Sequence, residues 1–288
     1  MWEILAAPFA ACLILTGIHC YLGIHVVMRE VIFVDLALAQ IAAMGAAVAT
    51  LAGYDPHSAI AHATAMGFTF LGAAVFAVGR FRDRRVPQEA IIGIVYAVSS
   101  ALTVLVLAHT AFGPEEIRHM LVGRLLFVGW DEVGLTALIY GGIAVVHVLL
   151  RRPFFAISRS AEKARLAGYR TRLWDFIFYV TFGVVVTSSV QIAGVLLVFS
   201  FLVVPAVCAM MFFGSVGPRL LMGWVLGMLA SAGGLWASAT WDLPTGASVV
   251  GMFGAIFAAS AVVYSIVSAV RGPGSEPASR ATEATARG

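Results

Sequence analysis

Apolar residues in this chain run in long blocks rather than alternating with polar ones. The blocks lie near residues 4–28, 31–51, 57–79, 90–110, 133–150, 174–190, 193–212, 217–238 and 246–270. Most approach the roughly 20 residues that a helix needs to cross the hydrocarbon core of a bilayer. The pattern predicts an all-α polytopic membrane protein, a bundle of about nine transmembrane helices. Blocks 174–190 and 193–212 also read as one long broken element, which would give eight. The first block is too long for the apolar part of a signal peptide and lacks a basic flank, so it reads as a span.

Two connectors are longer than the rest. Residues 111–132 are amphipathic and predict a helix at the membrane interface. Residues 151–173 are basic and polar, with a helical centre at SRSAEKARLAG, residues 158–168. Residues 1–270 form one transmembrane domain. The tail 271–288 is small, polar and proline-containing and reads as disordered.

Composition agrees with the pattern. Of the 288 residues, 61% are hydrophobic and 11% charged, against roughly 25% charged in a soluble domain. A soluble enzyme or nucleic-acid binder of this make-up would expose more apolar surface than water tolerates. The net charge of +3 is no polyanion signal, because the basic residues mark one membrane face. With nine spans, 16 of the 18 Lys and Arg residues fall on one set of connectors, leaving only Arg118 and Arg124 on the other. Eight spans would split them twelve to six. The positive-inside rule then favours nine, with the N-terminus outside and the 151–173 connector and C-terminus in the cytoplasm. Cys12, Cys20 and Cys208 lie in apolar stretches without metal or redox spacing and read as buried thiols.

Absences constrain the chemistry. The single lysine, Lys163, lies between Glu162 and Ala164, so the chain has no Walker A loop. It also has no HExxH zinc motif and no GxSxG nucleophile motif, which leaves an intramembrane hydrolase unsupported. What remains is polar chemistry inside apolar runs. Asp35 lies in VIFVDLALAQIAAMG, residues 31–45. An ionised carboxylate there costs at least about 2.5–3.5 kcal/mol on insertion scales. It reads either as an oxygen ligand for a passing divalent cation or as a buried hydrogen-bonding group between spans. Gln40 is five residues on, about 140° around an ideal helix, and reads mainly as an interhelical hydrogen-bonding residue. His19, His25, His57 and His62 lack the i,i+4 spacing that offers two ligands from one face. Each reads as a packing residue, with His62, inside its run, the best placed for a pathway. In TSSVQIAGVLLVFSFLVVPA, residues 187–206, the cluster Ser188, Ser189, Gln191 and Gly194 marks a helix break, and Pro205 removes a backbone bond beyond it. Irregular backbone at membrane depth belongs inside protein or along a cavity. These residues read as pathway-lining or as ordinary small-residue helix packing.

Taken in order, several segments resemble the membrane subunit of metal-ion ABC importers, the permeases for zinc, manganese and iron. LGIHVVMREVIFVDLALAQIAAMGAAVA resembles the family's second span. EAIIGIVYAVSSAL resembles its fourth, and SAEKARLAG its cytoplasmic Glu-x-Ala-x-x-x-Gly segment. SVQIAGVLLVFSFLVVPAVCA and WDLPTGASVV resemble its Pro-Ala signature and its Asp-Leu-Pro-Thr-Gly-Ala loop. The likeness covers about residues 4–270. It implies that an Asp and a His one turn apart in the second span handle the metal. Asp35 matches the Asp, whereas Ala39 stands where the His is expected. Loss of an imidazole shifts the expected preference from zinc toward manganese.

The resemblance further implies a dimer with a second permease copy, identical or paralogous. Separate ABC ATPase subunits, which alone bind ATP, would dock at Ser158, Glu162, Ala164 and Gly168. An external metal-binding protein would deliver the cargo. The implied location is the inner (cytoplasmic) membrane, with no tightly bound cofactor and no nucleic-acid partner. The competing class is a stand-alone secondary metal-ion transporter. That class favours inverted repeats and several intramembrane acids, whereas Asp35 is the one carboxylate well inside a run.

Overall fold

The computed structural model of the chain describes residues 2–56, 58–78, 87–110 and 123–271. His57, the basic stretch Arg80–Arg85, Arg118, most of the 111–132 connector and the tail lie outside the described residues.

Among the described residues all regular structure is helical. Helices α1 (Trp2–Met28), α2 (Val34–Leu51), α3 (Ala59–Val78), α4 (Gln88–Leu107) and α5 (Trp130–Leu149) are followed by two short helices, α6 (Arg151–Arg159) and α7 (Ala161–Leu166). Then come α8 (Thr171–Ala193), α9 (Val195–Phe212), α10 (Val216–Trp241) and α11 (Thr245–Arg271). Nine of these are long and apolar enough to cross a membrane. The pair that left eight or nine open resolves into two helices of 23 and 18 residues. Gly194 joins them, at φ +76° and ψ 159°. Only glycine takes such a backbone without a steric penalty.

The 111–132 connector departs from expectation where it is described. Residues 125–127 form a single 3-10 turn, and α5 begins already at Trp130. Two features fix the segment before this turn. Gly123 has φ +70° and lies so close to Ala193 and Gly194 that a Cβ there would strike their backbone. The Arg124 N–H donates to the Ile192 carbonyl at 2.9 Å. The segment is therefore pinned across the end of α8.

The helices sort into an inner and an outer group. The apolar windows of α1, α2, α8 and α9 are 56–67% buried within the chain, while those of α4, α5 and α11 are only 17–22% buried. An outer helix with so little protein around it turns apolar side chains toward lipid or another subunit. In the inner group α1 packs on α9 and α10, and α2 on α3, α4 and α8. Close approach needs small residues. A Cβ on Gly23 of α1 would strike the Leu202 carbonyl of α9. Pro205 is buried where α9 meets α10, with its carbonyl 3.2 Å from the position a Cβ on Gly223 would take.

Candidate functional site

A helix start leaves backbone N–H groups without intrahelical partners. In α2 no side chain of its own fills that role. Glu89, in the first turn of α4, accepts the Phe33 N–H at 2.9 Å instead. Asp35 sits in this first turn of α2, about 1% exposed, and neither carboxylate oxygen has a hydrogen-bond partner. It is close enough to Glu89 for the two carboxylates to interact electrostatically. A buried carboxylate left this way is costly unless something pairs with it.

One turn along α2 the helix borders a cavity of about 310 Å³. Its α2 wall is Ala39, Ala42, Ala43, Ala46, Ala47 and Thr50, the i, i+3, i+4, i+7 stripe of one helix face. Small side chains on that stripe are what leave the space open. Extended back by one turn, about 6 Å, the stripe reaches Asp35, which does not itself line the cavity. Gln40 is buried and also off the cavity wall, one residue around the helix from Ala39.

The opposite wall comes from α3 and α8. His62 lies one turn into α3, whose start is closed by Ser58 Oγ accepting the Ala61 N–H at 3.2 Å. Gln191 lies in the last turn of α8. Both are exposed to the cavity mouth, with His62 Nε2 3.0 Å from Gln191 Oε1. Thr187, one turn deeper, also lines the space and hydrogen-bonds Thr69 at 3.0 Å. Arg124 reaches the mouth from the 3-10 turn, with its guanidinium donating to Glu132 at 2.7 Å.

The other polar residues singled out in the sequence lie elsewhere. Ser189 is buried, its Oγ 3.1 Å from His19 Nε2. Ser188 is 3.1 Å from the Tyr140 hydroxyl. Both knit α8 to its neighbours, α1 and α5, and neither borders the cavity. Pro205 is likewise remote from it.

At the far end of the bundle from His62, four residues form a buried polar joint. Arg29, at the end of α1, donates from Nη1 to Asp175 of α8 at 2.8 Å and from Nε to Ser158 of α6 at 2.8 Å. His25 Nδ1 is also 2.8 Å from Ser158 Oγ. Ser158 thus ties the α6–α7 segment to the end of α1, and through Arg29 to α8, and is not on a surface. Ala164 of α7 is buried too, while Glu162 and Gly168 are exposed. The four residues read as one docking face therefore divide into two anchors and two surface positions.

Sequence reasoning did not find Thr187, Arg124 or the Arg29–Asp175 pair as members of these sites. One signal was available: single opposite charges at the matching ends of two apolar runs are a candidate buried pair.

Residues 1–264 match the family described as the ABC 3 transport family. The high-affinity zinc uptake system membrane protein ZnuB of Haemophilus influenzae is 27% identical over 257 residues, 87% of this chain and 94% of that protein. The manganese transport system membrane protein MntC of Halalkalibacterium halodurans is 21% identical over 253 residues, 85% of this chain and 82% of that protein. Among solved structures, PsaBC from Streptococcus pneumoniae in complex with Fab superposes with a TM-score of 0.74 at 19% identity, covering 89% of this chain and 90% of that one. At that identity the likeness speaks for the fold.

Proposed function

The chain belongs to the ABC 3 transport family, and from that membership we propose that it is the permease subunit of an ATP-driven importer of a divalent transition-metal ion: zinc, manganese or iron. The observation that carries the reading to residues is the α2 stripe. It runs from Thr50 at one end of a cavity to Ala39 at the other, and its next member is a buried, unpartnered carboxylate. A cation moving along this face passes from the cavity to Asp35. Curated relatives named for zinc, manganese and iron transport support the cargo class. The charge split of the connectors supports a cavity that opens outward, a cytoplasmic α6–α7 segment and a location in the cytoplasmic membrane. An external metal-binding protein would meet the cavity mouth, ATPase subunits the α7 end, and a second permease copy the thinly covered outer helices. Uptake of zinc, manganese and iron(II) by the complex reconstituted in proteoliposomes tests the proposal. ATP-dependent accumulation of at least one supports it, and accumulation of none overturns it.

Ala39 determines a preference in this reading. Its side chain borders the cavity one turn from Asp35, so i,i+4 contact is available to a larger residue. Ala39→His is expected to raise zinc uptake relative to manganese, because imidazole suits zinc better than it suits harder cations. Competition uptake with the two metals checks this, and an unchanged ratio counts against it.

The coupling segment yields a second expected result. Gly168 has φ +88° and open space around its Cβ position. Gly168→Trp pays about 1–2 kcal/mol of local backbone strain on an exposed turn. The permease is expected to stay monodisperse while metal transported per ATP hydrolysed falls several-fold. Bulk at buried Ala164 acts differently, by displacing α7 itself. Normal ATPase binding and coupling in Gly168→Trp would refute the docking assignment.

A further inference from the structure

Two carboxylates meet where α2 and α4 begin. Asp35 stands in the first turn of α2 and Glu89 in the first turn of α4, and the two helices pack along each other. The Phe33 N–H donates to Glu89 Oε1 at 2.9 Å. That bond holds the Glu89 carboxylate, through one oxygen, on the turn that carries Asp35. The other oxygen, Oε2, is buried without a hydrogen-bond partner, as are both Asp35 oxygens. The N–H groups of Asp35 and Leu36 face the Asp35 carboxylate but fall outside hydrogen-bond geometry. Among the described residues no Lys, Arg or His acts on either carboxylate, and the charged side chain that acts on Asp35 is Glu89.

Like charges placed together out of water need compensation. The N-terminus of α2 supplies only about half a unit of positive charge against two negative ones. A proton or a cation makes up the difference. A shared proton forms one O–H···O link, which engages two of the three unpartnered oxygens and leaves the third as it is. A divalent ion engages all three, because a carboxylate ligates through one oxygen or through two, and it cancels the charge of the pair. A ligating carboxylate is also typically held by a hydrogen bond from outside the metal's own shell, as the Phe33 N–H holds Glu89. We propose that Glu89 is a metal ligand that works with Asp35, and that together they form a two-carboxylate site for a divalent cation between the starts of α2 and α4, one turn beyond Ala39 and away from the cavity mouth. The identity of the ion as cargo rests on the importer reading above, and the all-oxygen donor set narrows it to manganese ahead of zinc. Asp35 is buried and Glu89 half-buried, so the ion leaves the pair past Glu89.

The test measures binding to the full, nucleotide-free complex in phosphatidylcholine nanodiscs. Mn²⁺ is followed by the loss of its free-ion electron paramagnetic resonance signal, and Zn²⁺ by competition against it. The wild-type complex is expected to bind Mn²⁺. Glu89→Gln keeps an oxygen that accepts the Phe33 N–H, so the start of α2 is preserved while the charge is removed. Its affinity for Mn²⁺ should fall at least about 10-fold. Glu89→His places a nitrogen donor of similar reach at the same position and should raise the ratio of Zn²⁺ to Mn²⁺ affinity about 10-fold. The ratio compares two metals on one preparation, so partial misfolding does not produce the shift. Mn²⁺ binding by Glu89→Gln equal to wild type overturns the proposal and leaves the shared proton. An unchanged ratio in Glu89→His overturns Glu89 as a ligand and leaves it the acceptor for Phe33 alone. Absence of Mn²⁺ binding by wild type overturns the site. These readouts do not depend on accumulation, so absence of uptake in proteoliposomes rejects the importer reading separately.

Discussion

Asp175→Ala is expected to destabilise the protein by about 3–5 kcal/mol, the usual consequence of removing one partner of a buried ion pair. Arg29 and Asp175 are each about 1% exposed and 2.8 Å apart. They join α1 to α8, two helices of the inner group, and Ser158 links the same guanidinium to α6. Removing the carboxylate takes a close anionic partner from a guanidinium stacked 3.9 Å above the Phe178 ring. The double variant Arg29→Met/Asp175→Leu removes both charges and should recover much of the loss, because an apolar pair of similar volume avoids the desolvation cost. Thermal unfolding in detergent measures both. A midpoint for Asp175→Ala within about a degree of wild type would show that the pair contributes little.

Asp35→Asn is expected to do the reverse: leave stability unchanged or raised, and nearly abolish transport. No other side chain is hydrogen-bonded to the Asp35 oxygens, and a neutral amide is cheaper to bury. For the cation the charge is decisive. A unit charge pair at about 4 Å gains about 4 kcal/mol at an effective dielectric near 20, so its loss predicts a fall in uptake of at least about a hundredfold. Gln40→Ala, off the cavity stripe, should have a much smaller effect. Measuring unfolding and metal uptake on the same preparations separates the roles. If Asp35→Asn transports normally, Asp35 is structural. If Gln40→Ala is the more damaging, the pathway follows a different face of α2.

The spans were legible because each is written locally, as a run of apolar residues bounded by charge or glycine. The break at Gly194 was legible for the same reason. Asp35 stood out because a carboxylate in an apolar run has few innocent explanations. The meeting of His62 with Gln191 was not readable, since 129 residues separate them and neither carries a local pattern that points to the other. Ser158 misled in the opposite direction. Its neighbours Arg151, Arg152 and Arg159 make the segment look solvated, yet Arg29 and His25, from a different helix, draw its hydroxyl inward. The 3-10 turn at Leu125–Phe127 also depends on a distant partner. The described end of the 111–132 connector is held by a hydrogen bond from Arg124 to Ile192, far along the chain.

The acceptor at the start of α2 belongs to α4, so the terminal turn that carries Asp35 is closed by a neighbouring helix and not by its own. The stiffness of that turn is therefore a property of the α2–α4 contact. If α4 moves away by more than a hydrogen bond can stretch, the amide of Phe33 loses its anion and the first turn loosens ahead of the rest of the helix. The carboxylate would then gain freedom at the moment the two helices part. α4 is also among the most thinly covered helices of the chain, so whatever packs on its outer face, lipid or protein, acts on the mobility of Asp35 without touching it.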